Sequence, residues 1–439
     1  MTRSSSITVA SEPVRAAVRH ATDLLATNRR DAFEGLADSD ALRDEAAFVR
    51  RRTLGDLDDV LAQWQRASEA RGVVVHRARD ASAAVRVVLD IVTRSAGRLV
   101  VKGKSMASEE IHLNEALEAK GVTVVETDLG EFIIQLAHET PSHIIVPAIH
   151  RNRFDVAELF SADAGHPIAP VVEDEATYAR QRLRDAFLAA DVGITGVNFA
   201  VAETGSICLV ENEGNGRMCS SLPRVHIAVM GMERIVRDWE ELDVMLALLA
   251  RSATGQALSV YTNIISGPRR AGELDGPEEL HVVVLDNGRS NLIGTPYEET
   301  LACIRCGACL NVCPVYRHVG GHAYRSVYSG PIGAVLTPLL APDDADAAEL
   351  PRASTLCGAC TDVCPVRIPL HDLLLRLRQR PTRSTRGFDL WSRAWSTSLG
   401  YRVSVRVSRD GLRLARVLPK RGWLKVWSSD RTLPRGGGR

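Results

Sequence analysis

The sequence predicts an α/β protein: a parallel-sheet domain followed by a mainly α-helical domain built around cysteine. Two observations carry this. Between positions 73 and 285, short apolar runs alternate with segments of helical apolar period, which implies a parallel sheet with right-handed crossovers. Between Cys303 and Pro365, seven of the nine cysteines stand in two short runs. The chain has 439 residues, enough for two or three domains, with 45% hydrophobic and 25% charged residues, as in soluble globular proteins. The expected parts are an N-terminal helical region (1–70), an α/β domain (71–295), a helical cysteine domain (296–380) and a basic, Trp-rich C-terminal region (381–439).

Residues 12 to about 70 read as helices. Pro13 suits a first turn, and Val14, Ala17, Val18, Ala21 and Leu24 recur on one face. A second helix is expected from about Asp40 through Leu61 and Trp64, closed by Gly72. The period then changes. Strands are expected at Val73–Val75, Leu99–Val101, Val122–Val125 and His143–Val146, with helices at Ala81–Ser95, Ser108–Ala119 and Leu129–Ala137 between them. The pattern continues through a helix at Glu173–Ala190 and strands near Val197–Ala202, Ser206–Val210 and His226–Met230. A helix at Trp239–Ala250 and a strand at Glu279–Leu285 end it. The loop Gly267–Pro277 carries charges and glycines that suit either a ligand loop or plain solvated surface.

The first cysteine run, Cys303-Ile-Arg-Cys306-Gly-Ala-Cys309-Leu-Asn-Val-Cys313-Pro314, has the C-x2-C-x2-C-x3-C-P spacing of a [4Fe–4S] site. Three thiolates converge on one cubane and the fourth serves the other cluster. Zinc would ask for two ligand pairs, and disulfides need an oxidising compartment. The second run, Cys357-Gly-Ala-Cys360-Thr-Asp-Val-Cys364-Pro365, lacks its first thiol, because Ser354 stands where the spacing asks for cysteine. By the crossover rule, cluster one takes Cys303, Cys306, Cys309 and Cys364, and cluster two takes Cys313, Cys357 and Cys360. Cluster two is then [3Fe–4S], or [4Fe–4S] with a non-cysteine ligand or an open iron. Ser354 is either an oxygen ligand or the cap of the turn before Cys357. The 43 residues between the runs, with helical and turn character, favour a helical ferredoxin module over the small β-rich one.

Other motifs are weaker. Lys102-Gly-Lys-Ser105 follows a strand and opens a helix, where an anion could bind, but the glycine of a nucleotide loop is missing, since position 98 is arginine. Glu203, in the turn Glu203-Thr-Gly-Ser206, is a candidate nucleophile or base without a nameable partner, or a simple turn residue. His112, His138, His143 and His150 match no metal spacing and read as polar or core histidines; Cys208 and Cys219 read as free buried thiols. Residues 376–439 hold 17 Lys and Arg against three acids, and four of the six tryptophans. Such a tail suits a peripheral contact with an anionic membrane, an acidic partner, or simple packing back on the protein. No apolar segment reaches membrane-spanning length, and the N-terminus has no signal-peptide core, so a cytoplasmic protein is expected.

The block Leu301–Tyr316, with His318–Tyr324, Gly330–Pro338 and Cys357–Asp372, resembles the lactate utilization protein B family, and Ala202–Ser206 resembles its LUD domain. The resemblance implies a CoA-transferase-like (NagB/RpiA-type) α/β fold for the sheet domain. It implies an electron-transfer role beside partner proteins A and C in oxidising L-lactate to pyruvate, with a quinone-linked or other acceptor. Two further readings compete: a stand-alone enzyme using the LUD pocket with Glu203, and a redox-sensing adaptor whose basic tail binds DNA or membrane. Nucleic acid is the less favoured partner.

Overall fold

The computed structural model describes residues 9–380, 390, 392, 393 and 395–415. The chain divides into two compact units, residues 1–379 and 380–439. In the first, a six-stranded parallel sheet runs in the order β1 (Val74–Ala78), β10 (Glu279–Leu285), β7 (Val225–Gly231), β4 (Val192–Gly196), β2 (Leu99–Lys102) and β3 (Thr123–Glu126). Its central strands are mostly apolar because both faces are covered; every residue of β7 is buried. Alternate side chains divide between two cores. Val283 and Leu285 face Ala84, Val88 and Ile91 of the helix Ala81–Arg94. Val282 and Val284 join Trp64, Met245 and Leu248 in a larger core that continues into the cysteine region. The expected parallel sheet followed by a helical cysteine region is therefore the observed layout.

Four details depart from the expectation. The strands near Val197–Val210 do not extend the parallel sheet. β5 (Phe199–Val201) and β6 (Ser206–Glu211) pair antiparallel in a second sheet of order β8 (Ile235–Val236), β5, β6, β9 (Tyr261–Ile265). The turn between them is too short for the crossover that parallel pairing requires. His143–Val146 is buried or half-buried but not a strand. Its amides are taken by a side chain: His143 Nδ1 accepts from Ile145 N (3.0 Å) and Val146 N (3.2 Å). The helix expected over 108–119 breaks at His112, whose φ is 52°. The long second helix is two, Ser39–Gly55 and Leu57–Glu69, parting at Gly55, a poor helix former.

The N-terminal helices fasten the two regions together. Arg50 of the helix Ser39–Gly55 is fully buried, and its guanidinium donates to the carbonyls of Glu233, Ile235, Leu301 and Ala302. It thereby bridges the second sheet to the backbone that enters the first cysteine run. The second unit contains the helix Ser398–Ala415, and within it Trp395 meets Tyr401 edge-on at 5.1 Å between ring centroids. Most of the basic tail, including Trp391, Trp423 and Trp427, lies outside the described residues. Among the described residues, no helix is long and apolar enough to cross a membrane.

Candidate metal centre and adjoining cavity

The two cysteine runs share one backbone. In the first, Arg305 and Gly307 have φ of 61° and 75°; in the second, the matching Leu356 and Gly358 have 57° and 86°. Each left-handed pair curls the chain around its cysteine and opens a single helical turn, Ala308–Asn311 in one run and Ala359–Asp362 in the other. Gly307 also leaves room for His143: a Cβ there would come 3.1 Å from its ring. His143 in turn donates from Nε2 to Asn311 Oδ1 at 3.1 Å, tying the first run to the loop after the helix Leu129–Leu136. Burial, with help from the Lys104 charge, lowers the His143 pKa to about 3, so the ring is neutral.

The fold brings Cys364 of the second run to the first. Cys303, Cys306, Cys309 and Cys364 line one small cavity, with Ile332 and Ile368 among its apolar wall. Burial pushes the Cys306 thiol up to about 12 and the Cys364 thiol up to about 11, and the neighbouring cysteines add to both shifts. Burial pushes the Cys360 thiol up to about 12, and Cys313 and Cys357 add to the shift. Backbone amides point at the sulfurs: Arg305 N lies 3.4 Å from Cys303, Tyr316 N 3.5 Å from Cys313 and Ile368 N 3.3 Å from Cys364. Such donors stabilise thiolate and help set cluster potential. The chemistry of the donor set fits an iron–sulfur cluster. Among the described residues no three or more His, Cys, Asp or Glu close to a single-ion site; a cubane asks for a wider cradle, with one thiolate per iron. No disulfide joins any of the nine cysteines.

Ser354 sits where Cys303 sits. Its Oγ accepts from Leu356 N at 3.1 Å, the counterpart of the Arg305 N contact to Cys303. Two arginines that sequence reasoning did not single out close the site from the N-terminal helices. Arg29 donates to Val363 O (2.8 Å) and Arg43 to Cys364 O (3.0 Å). Single arginines in amphipathic helices carry no motif, so no local signal marks them.

A second, larger cavity of about 590 Å³ opens at the carboxyl ends of β2, β4 and β7. The strand order reverses between β2 and β4, the usual crevice of such sheets. Gly103, Lys104 and Ser105 line it, but Lys102 does not: it is fully buried between Glu109 and Glu126, 2.8 Å from each. Glu203 is exposed and is not among the lining residues. The pairing of Glu203 with this pocket is therefore not realised, because the β5–β6 turn is spent on packing. Ser68 donates to Gly205 O at 2.6 Å, and a Cβ on Gly205 would strike the backbone at Ser68. His112 is exposed beside Glu115, and His150 is buried against Glu139 at 2.8 Å. Cys208 and Cys219 are buried and free.

A family model described as the LUD domain matches residues 61–285, and one described as a 4Fe-4S dicluster domain matches residues 299–368. The lactate utilization protein B of Shouchella clausii is 47% identical over 441 residues, covering 96% of this chain and 91% of that one. That of Bacillus subtilis is 50% identical over 369 residues, covering 84% and 77%. The chain belongs to the lactate utilization protein B family. Its relative from Geobacillus sp. is 45% identical over 434 residues, covering 96% of this chain and 91% of the other. A DUF162 family protein of Deinococcus radiodurans aligns with 52% of the chain at 17% identity, but its TM-score of 0.30 is too low to bear on the fold. Within the family frame, the cysteine region is the iron–sulfur part of the molecule and the large cavity belongs chiefly to the LUD domain.

Proposed function

We propose that this chain is the electron-transfer protein of a complex that oxidises L-lactate to pyruvate, with lactate utilization proteins A and C as partners. The observation that carries the reading is the cavity lined by Cys303, Cys306, Cys309 and Cys364, which draws ligands from both runs to one point. In this reading these four hold a [4Fe–4S] cluster. Cys313, Cys357 and Cys360 hold a second, of [3Fe–4S] type or of [4Fe–4S] type with a non-cysteine ligand. The clusters supply one-electron relay steps. The protein orients the thiolates, excludes water from cluster one and donates backbone N–H groups to the sulfurs.

The two sites differ in access. Cys357 of the second site is exposed, Cys303 of the first is half-buried and the other five are buried, so the Cys357 side of the second cluster is the natural port for a partner. The four-part division at residues 70, 295 and 380 is part of the same proposal, with the N-terminal helices as the clamp on the cysteine region. Anaerobically purified protein should hold about seven to eight irons per chain. Its clusters should be reduced by L-lactate only when the partner proteins are present. Saturation near four irons, or reduction by lactate of the isolated chain, would contradict the reading.

A further inference from the structure

The large cavity and the cysteine-lined cavity are separated by a single layer of residues, because Ile144, Ile304 and Arg305 line both. The floor of the large cavity at that wall is cationic. Arg234, Arg289 and Arg305 share two carboxylates, Glu110 and Glu233. Arg289 takes the good geometry, with contacts of 2.7 Å to Glu110 and 2.8 Å to Glu233. Arg305 reaches Glu233 only at 3.5 Å, and Arg234 only at 3.8 Å. Arg305 is nine-tenths buried, stacks over the Tyr328 ring at 4.2 Å, and leaves Nη1 without a hydrogen-bond partner. Arg234 makes no side-chain hydrogen bond among the described residues, and its side chain is 11% exposed.

Two buried guanidinium groups that share one carboxylate, one of them with an unpaired Nη1, are under-neutralised, and on one cavity floor they fit the oxygens of a carboxylate or phosphate. Asp128, Glu211 and Glu213 also line the cavity, with Lys104 near Glu213. Cys306 has Arg29 nearby and Cys364 has Arg43, while Arg234 and Arg305 lie near enough to Cys303 to feel its charge, so the test must separate anion binding from a counter-charge role.

We propose that the large cavity binds a small oxyanion, a carboxylate or phosphate group held by Arg234 and Arg305 one residue layer from the cluster-one cavity. The binding site stands on the arginines; only its nearness to a cluster rests on the function proposed above.

The test is calorimetric titration of the anaerobic, iron-loaded full chain with two sets of probes. One set is L-lactate, pyruvate and citrate; the other is inorganic phosphate and pyrophosphate. One set should bind at one site per chain, and which set binds identifies the source of the oxyanion. Arg234→Gln should weaken that binding at least tenfold with iron content unchanged. Arg234→Lys, which keeps the charge but loses the fork, should weaken it less, and it replaces the glutamine variant if that protein fails to hold iron. The bound anion should also shift the paramagnetic spectrum of reduced cluster one. The proposal is overturned if neither set binds, or if binding is unchanged in both variants. It is also overturned if Arg234→Gln moves the cluster potential with no anion binding to either protein, since the arginine would then be only a counter-charge to the cluster. Binding without a spectral change would remove the site from the shared wall. Absence of cluster one from the purified protein would count against the proposed function, while the titration would still report on the arginines.

Discussion

The two cysteine runs have the same local backbone and different surroundings. The first is held by the LUD side of the molecule: His143 on Asn311, Arg50 on the Leu301 and Ala302 carbonyls, and the Ser142 carbonyl on Tyr316 Oη at 2.9 Å. The second is held by Arg29 and Arg43 from the N-terminal helices and by Arg367 on Asp40 and Asp44. Matching positions end up in opposite settings. Cys306 is buried with its thiol pushed up to about 12, while a hydrogen bond from Ala359 N–H pulls the exposed Cys357 thiol below the ordinary cysteine range. A repeated motif thus sets geometry around each cysteine. Burial and ligand count come from what packs against it.

The crossover of Cys364 is the sharpest way to break this comparison. Cys364→Ser should lose the cluster held by Cys303, Cys306 and Cys309, roughly half the iron, and keep the one in its own run. Iron analysis with paramagnetic resonance checks it, and a variant that keeps cluster one would show that the runs act separately.

Ser354→Cys should erase the difference in ligand number. Its Oγ already occupies the place that Cys303 Sγ fills, so a thiol there would face the second cluster. Air exposure of the wild type should yield the signal of a three-iron cluster, and the variant should suppress it. An unchanged signal would mean that the Ser354 position does not reach the iron.

The supports of the first run should outweigh any surface pair. Arg50→Met leaves four buried carbonyls short of a donor and should cost about 3 kcal/mol of stability. An exposed pair such as Arg325–Asp346, at 3.1 Å, should cost less than about 1 kcal/mol when broken. Thermal midpoints of Arg50→Met and Arg325→Ala measured side by side decide the order.

The last effect concerns pH. His143 is buried and neutral, with its pKa lowered to about 3, and His226 is lowered to about 3 in the same way. The unfolded chain takes up these protons near pH 6.5, whereas the folded chain does not. Stability therefore falls as pH drops from about 6.5 toward 3, by up to about 1.4 kcal/mol per pH unit for each ring. The thermal midpoint should drop between pH 7 and pH 5, and the drop should be smaller in His143→Gln. Equal drops would mean that His143 is not held neutral beside the first run.

Much of the fold was legible because its signals are local. The apolar run Glu279–Leu285 reads as a strand and is one. Pro13 at a first turn and the stripe after it read as a helix, observed at Glu12–Glu34. The segment His143–Val146 misled because apolar content reports burial, not which groups take the backbone hydrogen bonds. The arginines of the cavity floor stayed hidden because each is unremarkable in sequence. Arg305 looks like a spacer between two cysteines, and its partner Glu233 lies 72 residues away.

By itself, the sequence determined the chemistry on offer: seven cysteines at cluster spacing, a serine where an eighth would stand, and alternating strands and helices. These follow from covalent order and short-range backbone preference. Only the tertiary structure decided that Lys102 is spent on two carboxylates while Arg234 and Arg305 are not, and that Glu203 lies outside the pocket. Those outcomes depend on which distant side chains burial brings together, and a shared core imposes that on the chain as a whole.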